Sequence, residues 1–346
     1  MAPVPRDRGW VQRDDLRLCF RLSKFRGQPV ALALLLFDTR LAWGNMFEAV
    51  EFPSEGATLR GRFYRPARAG PWSVVIMTHG TTATITMCLD RYAEVFCRAG
   101  LAVLLYDHRN FGLSGGEPRQ LINPWLQARG YRDAMTYLLT RADVRDDKIA
   151  AWGDSYSGMI ALAAAALDPR YAAVVVQCPA CGVEKPKQEP DKRNFHTMQT
   201  IFDGGDITGT RETTTGPLPV VSADQLGTPS LLKPIQAYRW FIDYGGRHGT
   251  LWENRVIRVI PPTPVPLSAY LAAPFIRGPT LLMAGRNDEM VHCNPDVTHM
   301  VFELMRCPKQ WDDIDGGHFG LLYYPSEIFE QASAGQRAFL VEALSV

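Results

Sequence analysis

The 346-residue sequence lacks most features that would classify it at a glance. No apolar run approaches the roughly 18 residues of a membrane span. The longest near the start, Val30 to Phe37, is short and lies behind Asp7, Asp14, Asp15 and Pro29. A secretory leader would place positive charge, an apolar stretch and a small-residue cleavage site in that order, so the chain reads as soluble and cytoplasmic, with no membrane partner. Neither sign of charge is in excess: the formal net charge is +1, which provides no basic surface for nucleic acid. There is no H-x-H, no H-E-x-x-H and no dense carboxylate cluster, so no metal is expected, and no G-x-G-x-x-G, so no dinucleotide cofactor. The seven cysteines (19, 88, 97, 178, 181, 293 and 307) are odd in number and share no repeating spacing, which reads as reduced thiols. Cys178-Pro179-Ala180-Cys181 has C-x-x-C spacing. It follows a strand and lacks a second Cys/His pair nearby, so packing is its expected role.

What is present begins with Gly153-Asp154-Ser155-Tyr156-Ser157-Gly158, between the apolar runs Ile149 to Trp152 and Met159 to Ala163. It reads as a serine on a strand-to-helix elbow. A serine hydroxyl is a weak nucleophile at neutral pH and needs exposure, a base and donors for the oxyanion that forms. Small flanking residues suit such a turn because strand and helix approach closely there. The spelling departs from G-x-S-x-G: position 157 is serine and Gly158 comes one place late. Ser157 as nucleophile would put Met159 at the second flank and crowd the turn, so Ser155 is the better candidate. An ordinary helix cap is the competing reading.

The rest of the chain supplies a frame. Glu48 to Phe52 and Thr58 to Tyr64 alternate like two antiparallel strands joined at Ser54-Glu55-Gly56. Val74 to Met77, Ala102 to Tyr106, Ile149 to Trp152, Ala173 to Gln177 and Thr280 to Ala284 are apolar runs suited to strands buried on both faces. Helical patterns lie between them at Leu89 to Ala99, Gln127 to Leu139, Tyr156 to Leu167 and Asn294 to Met305. This alternation predicts an α/β fold with a mostly parallel sheet flanked by helices. Residues 46–182 and 271–346 would form its core. Residues 183–270 carry ten of the 25 prolines, a threonine-rich loop from Thr208 to Thr215 and a helix near Leu232 to Tyr244. That length suits a cap or lid over the carboxyl end of the sheet; the alternative is a surface excursion. The segment's Phe195, Phe202, Tyr238, Trp240, Phe241, Tyr244 and Trp252 either wall the site or form the cap's own core. Residues 1–45 form an extension with a basic beginning. They read equally as an amphipathic element packed on the body or on another subunit, which would make a homodimer, as a mobile arm, or as residues preceding a true start at Met46.

If Ser155 is a nucleophile, an acid and a base should follow in that order. Gly285-Arg286-Asn287-Asp288-Glu289 places acids after a strand, and Gly316-Gly317-His318 places a histidine between glycines. Asp288 and His318 are therefore the expected acid and base, with Glu289 the competitor to Asp288. Asp315 could only cap its loop. His196, His248, His292 and His299 are expected to be structural or to touch substrate. The oxyanion hole would use the backbone N–H groups of Tyr156 and Thr81, with Gly80 allowing the turn and His79 bracing the loop. Asp107 to Gly116 resembles a phosphate-binding turn superficially but reads better as a buried polar bracket.

From about Phe47 onward the sequence resembles the α/β-hydrolase superfamily, in the dienelactone-hydrolase-like and Xaa-Pro-dipeptidyl-peptidase-like branch that includes fungal polyketide transferases. The resemblance rests on Tyr106 to Gly112, Gly116 to Gln120, Asn123-Pro124-Trp125, the G-x-S-Y-x-G form around Ser155, Gly285 to Asp288 and Gly316 to His318. It implies a serine-dependent hydrolase, or a lyase or acyltransferase of polyketide-type secondary metabolism built on the same residues; with the aromatics of residues 183–270, the expected substrate is an ester or thioester of a mainly apolar, medium-sized metabolite.

Overall fold

The computed structural model describes residues 47–346; the expectations for residues 1–45 lie outside them. In chain order the first half runs β1 (Phe47–Ser54), β2 (Ala57–Tyr64), β3 (Trp72–Thr78), α1 (Leu89–Arg98), β4 (Ala102–Tyr106), β5 (Leu121–Ile122), α2 (Pro124–Leu138), β6 (Val144–Asp154) and α3 (Ser155–Leu167). The second half continues β7 (Ala173–Gln177), α4 (Lys192–Gly204), β8 (Thr214–Leu218), α5 (Ile235–Gly245), β9 (Val256–Val259) and α6 (Ala269–Ala272). It ends with β10 (Thr280–Gly285), α7 (Pro295–Leu304), β11 (Lys309–Ile314) and α8 (Glu327–Ala343).

Eight strands form one sheet in the order β1-β2-β4-β3-β6-β7-β10-β11. The β1–β2 and β2–β4 pairs are antiparallel, and every pair from β4 to β11 is parallel. The central strands are apolar at successive positions because both faces are covered. Val74 and Ile76 of β3 join one core layer with α2 and α3, while Val75 and Met77 join the other with α1 and α8. The β1–β2 turn places Glu55 and Gly56 at φ 48° and 75°, the left-handed pair that a tight hairpin requires.

The apolar runs correspond to strands, and the helical patterns to α1, α2, α3 and α7 within a few residues at each end. Residues 183–270 hold more regular structure than the sequence suggested. Beside α5 they contain α4, and β8 and β9 build a second small sheet, β5-β9-β8, with the two-residue strand β5. β9 runs parallel to β5 through Leu121 and Ile257 and antiparallel to β8.

Candidate active site

The strand β6 ends at Asp154 and α3 starts at Ser155, whose φ is 53°. A side chain in this left-handed region is strained, on the order of 1–3 kcal/mol, and such strain collects where geometry serves chemistry. The neighbours make it inescapable. A Cβ on Gly153 would lie 2.1 Å from the Ser157 carbonyl oxygen, and one on Gly158 would lie 3.0 Å from Pro179 Cα. The second small residue is thus needed at 158, against the segment after β7. Ser155 does not cap the helix. Asp154 holds the cap position without a side-chain capping bond, and the Ser155 hydroxyl has no hydrogen bond among the described residues. Ser157, by contrast, is fully buried; its Oγ donates to the His79 carbonyl and lies 2.8 Å from His108 Nε2.

Asp288 lies after β10 and His318 on the short 3-10 turn His318–Leu322. His318 Nδ1 is 2.8 Å from Asp288 Oδ2, and Asp288 Oδ1 accepts the Met290 N–H at 2.8 Å. Glu289 acts elsewhere, its Oε2 accepting the backbone N–H of His318 at 2.9 Å. One acid orients the ring and its neighbour holds the main chain. With Nδ1–H given to Asp288, Nε2 is the basic nitrogen. Burial alone would depress the His318 pKa, but the Asp288 hydrogen bond and the charges of Asp288, Asp154 and Glu289 outweigh it and raise the pKa. Ser155 and His318 border the same small cavity and are not hydrogen-bonded to each other among the described residues. Catalytic hydrogen bonds are commonly long before substrate arrives.

The loop after β3 passes close over the elbow. Gly80 is required by proximity rather than by a turn: a Cβ there would meet Asp154 Oδ2 at 2.9 Å and Ser155 Cβ at 3.1 Å. Thr81 and Tyr156 line the main cavity with Ser155. His79 braces this loop. Its Nε2 accepts the His108 N–H at 3.1 Å, so Nδ1 carries the proton and donates to the Gly80 carbonyl at 2.9 Å. Burial, only partly opposed by that bond, pushes the His79 pKa down to about 4 and keeps the ring neutral. Asp107 is the bracket below it, accepting the N–H groups of Ile85 and Leu113 at 2.9 and 2.8 Å.

Asp154, Gln177 and Gln336 escaped the reading of the sequence. Asp154 Oδ1 accepts from Gln177 Nε2 at 2.8 Å, Gln177 Oε1 from Gln336 Nε2 at 2.7 Å, and Gln336 Oε1 from Trp152 Nε1 at 2.7 Å. This buried chain ties the elbow to β7 and to α8. Burial raises the Asp154 carboxyl to about 6, against the lowering pull of His318 and Gln177. The position of Asp154 inside the elbow motif was the available signal; nothing local marked the glutamines. Of the remaining histidines, His299 stacks on Trp311 with ring centroids 4.0 Å apart, His196 and His248 are exposed, and His292 borders the main cavity. Asp315 is exposed.

Among the described residues, the metal-ligand type side chains that converge are Cys178, Asp288 and His318, with atoms within 4.8 Å of one another. This is the Asp–His pair with a thiol beside it. Burial, then the charges of Asp288 and Asp154, hold the Cys178 thiol well above its ordinary pKa, so it remains protonated and a poor ligand. Cys178 and Cys181 are both free and buried.

The main cavity is about 400 Å³. Ser155 and Thr81 lie on its wall, and Met159, Leu231, Leu232, Val259, Pro261 and Leu267 make much of the rest. Leu231, Leu232 and the segment from Arg258 to Leu267 therefore border this cavity with Ser155. Of the two readings of the aromatics in residues 183–270, packing among themselves accounts for most of them. Phe195 stacks on Phe275 at 3.9 Å, Phe202 is in the core, and Tyr244 stacks on Trp240 at 5.3 Å. Only Trp240 and Phe241 of the seven reach the smaller cavity beside Ser155 and His318, about 20 Å³, room for one water. Aliphatic chains from the loops won because the rings pack against one another and against Phe319.

Residues 69–209 match the family model described as serine aminopeptidase, S33. Thiohydrolase apmlB of Arthrinium phaeospermum is 42% identical over 160 residues, 46% of this chain and 51% of that protein. Acyltransferase drtE of Aspergillus calidoustus is 40% identical over 134 residues, 38% of this chain and 43% of that protein. The chain spans about half the length of the curated relatives it matches. Among solved structures, the α/β hydrolase GrgF from Penicillium sp. sh18 superposes with a TM-score of 0.63 at 26% identity, covering 87% of this chain and 99% of that one.

Proposed function

We propose that the chain, which shares the fold of the α/β hydrolase GrgF and matches the serine aminopeptidase S33 model over residues 69–209, is a serine-dependent hydrolase cleaving an ester or thioester of an apolar, medium-sized acyl compound. The observation that carries this is a strained, unbonded Ser155 hydroxyl on the wall of an apolar cavity, beside the hydrogen-bonded Asp288–His318 pair. In this reading His318 Nε2 takes the Ser155 proton as Oγ attacks the acyl carbon. Asp288 fixes the ring tautomer and stabilises the imidazolium, and the N–H groups of Thr81 and Tyr156 hold the oxyanion. His318 then returns the proton to the leaving thiol or alcohol. Water attacks the acyl-enzyme with His318 again as base, giving the acid and free Ser155. Residues 183–270 act as the cap that keeps bulk water from this space, which strengthens each of these electrostatic contacts. The relative named a thiohydrolase favours the thioester. The six free cysteines of the described residues suit a reducing compartment, which supports a cytoplasmic setting.

A second reading shares the first half-reaction: the acyl group passes to an alcohol or thiol acceptor, or a carboxylate is eliminated, as in polyketide-type metabolism. The relative named an acyltransferase and a cavity large enough for an acceptor favour it. The test has two arms. A fluorophosphonate should label the wild type and not Ser155→Ala; equal labelling of both removes Ser155 as nucleophile. Turnover of a thioester in ¹⁸O-water should place one solvent oxygen in the product acid, and an unlabelled acid rules out hydrolysis of an acyl-enzyme.

A further inference from the structure

The main cavity holds one fixed charge. Among the described residues, no aspartate, glutamate or lysine is on its wall, and the single arginine is Arg258 of β9. Arg129, which also reaches into the fold, is by contrast saturated: it binds the carbonyls of Ile201, Phe202 and Gly205 and the carboxylate of Glu55. Arg258 has no side-chain hydrogen bond or ion pair among the described residues. Two further polar groups lie within its field. The Tyr156 hydroxyl is enclosed and has no partner among the described residues. His292 is pushed down in pKa, by burial first and then by the Arg258 charge, so it stays neutral and leaves Arg258 as the cation.

We propose that Arg258 is a receptor for an anionic oxygen, a carboxylate or an ionised enol, carried on the acyl chain of the substrate. The proposal rests on the reading of this cavity as the acyl site. An acyl chain that fills the cavity displaces water from the guanidinium. A neutral chain leaves that charge desolvated and unpaired, whereas an anionic one replaces the water with a charge-assisted hydrogen bond. Arg258 therefore selects for acidic acyl chains and against neutral ones of the same length. The backbone of β9 is held by β5 and β8 on its two sides, so the side chain projects from a fixed base.

The test compares two N-acetylcysteamine thioesters of octanedioic acid, one with a free distal carboxylate and one with a distal methyl ester. The wild type should prefer the free acid, and Arg258→Gln should lower the ratio of the two kcat/KM values tenfold or more, with Arg258→Lys restoring part of it. A ratio that moves less than twofold overturns the proposal. The same pair of proteins is assayed with octanoyl-coenzyme A and octanoyl-N-acetylcysteamine; a loss that follows coenzyme A instead means that Arg258 reads the carrier's phosphate and overturns it too. Binding is measured independently of turnover, by calorimetry of monomethyl and dimethyl octanedioate on Ser155→Ala. Tighter binding of the monoacid supports the receptor even if no thioester is cleaved, which would count against the hydrolase reading alone. Equal binding overturns the receptor.

Discussion

Ser157 Oγ lies 2.8 Å from His108 Nε2, and both side chains are buried behind the elbow. The hydroxyl proton goes to the His79 carbonyl, so the oxygen can only accept from His108, whose Nε2 carries the proton while Nδ1 stays bare and without a partner among the described residues. The residue that departs from the G-x-S-x-G spelling is therefore a clamp between the elbow helix and the loop over it.

Replacing Ser157 by glycine restores the commoner spelling and removes the clamp. His108 Nε2–H and the His79 carbonyl would lose their partner in a dry site, a loss of about 1–3 kcal/mol. Denaturant unfolding should show this as a lower midpoint at constant slope, with fluorophosphonate labelling of Ser155 retained. An unchanged midpoint would rule the clamp out.

In the proposed mechanism His318 is the general base and must be neutral to act, and its pKa is raised above its ordinary 6.5. Activity should therefore fall on the acid side through a limb whose midpoint is above 6.5, read from kcat/KM against pH with an activated ester. The stability that His318 contributes runs the other way, present below the unfolded-state pKa and lost as pH rises through the folded one. Asp288→Asn removes a raising charge, so the limb should move to lower pH while the rate drops by roughly 10³–10⁴-fold.

Asp154→Asn keeps the acceptor for Gln177 and deletes a buried charge. A carboxyl raised to about 6 in the folded state favours the protonated form there, so its contribution is complete below about 3.8 and is lost as pH rises through about 6. The variant should be more stable than the wild type at pH 8, by up to about 3 kcal/mol, with the difference vanishing near pH 4. Thermal melts at the two pH values decide it. The His318 limb should also shift down, because Asp154 is one of the charges that raises it.

Gly153 and Gly158 should respond differently to alanine. At 153 the new Cβ meets backbone oxygen at 2.1 Å, and the elbow cannot close; the expected outcome is loss of soluble, labelling-competent protein. At 158 the clash with Pro179 is 3.0 Å, which a small shift relieves at about 1–3 kcal/mol. Equal behaviour of the two variants in expression and melting would contradict this account of the turn.

The sheet was readable because strands covered on both faces must be apolar throughout, as Val74 to Met77 and Ala173 to Gln177 are. Asp288 and His318 were readable because each follows a strand within a glycine-bearing loop, a local property. The helix α8 was not: its buried positions include Gln336 and Ser333 beside Phe329 and Leu340, so its inner face carries no clear apolar stripe. β5 and β9 also escaped, since a two-residue strand exists only through a partner more than a hundred residues away.

The sequence by itself determined the alternation of strands and helices, the elbow at Ser155 and the order of serine, acid and histidine, because backbone sterics and hydrophobic periodicity act over a few residues. The tertiary structure decided which of Asp288 and Glu289 faces the ring, what Ser157 holds, that Asp154 is tied to α8 through two glutamines, and that Arg258 faces the cavity without a partner among the described residues. Those outcomes depend on hydrogen bonds and exclusion of water between segments far apart in the chain, which no local pattern of residues encodes.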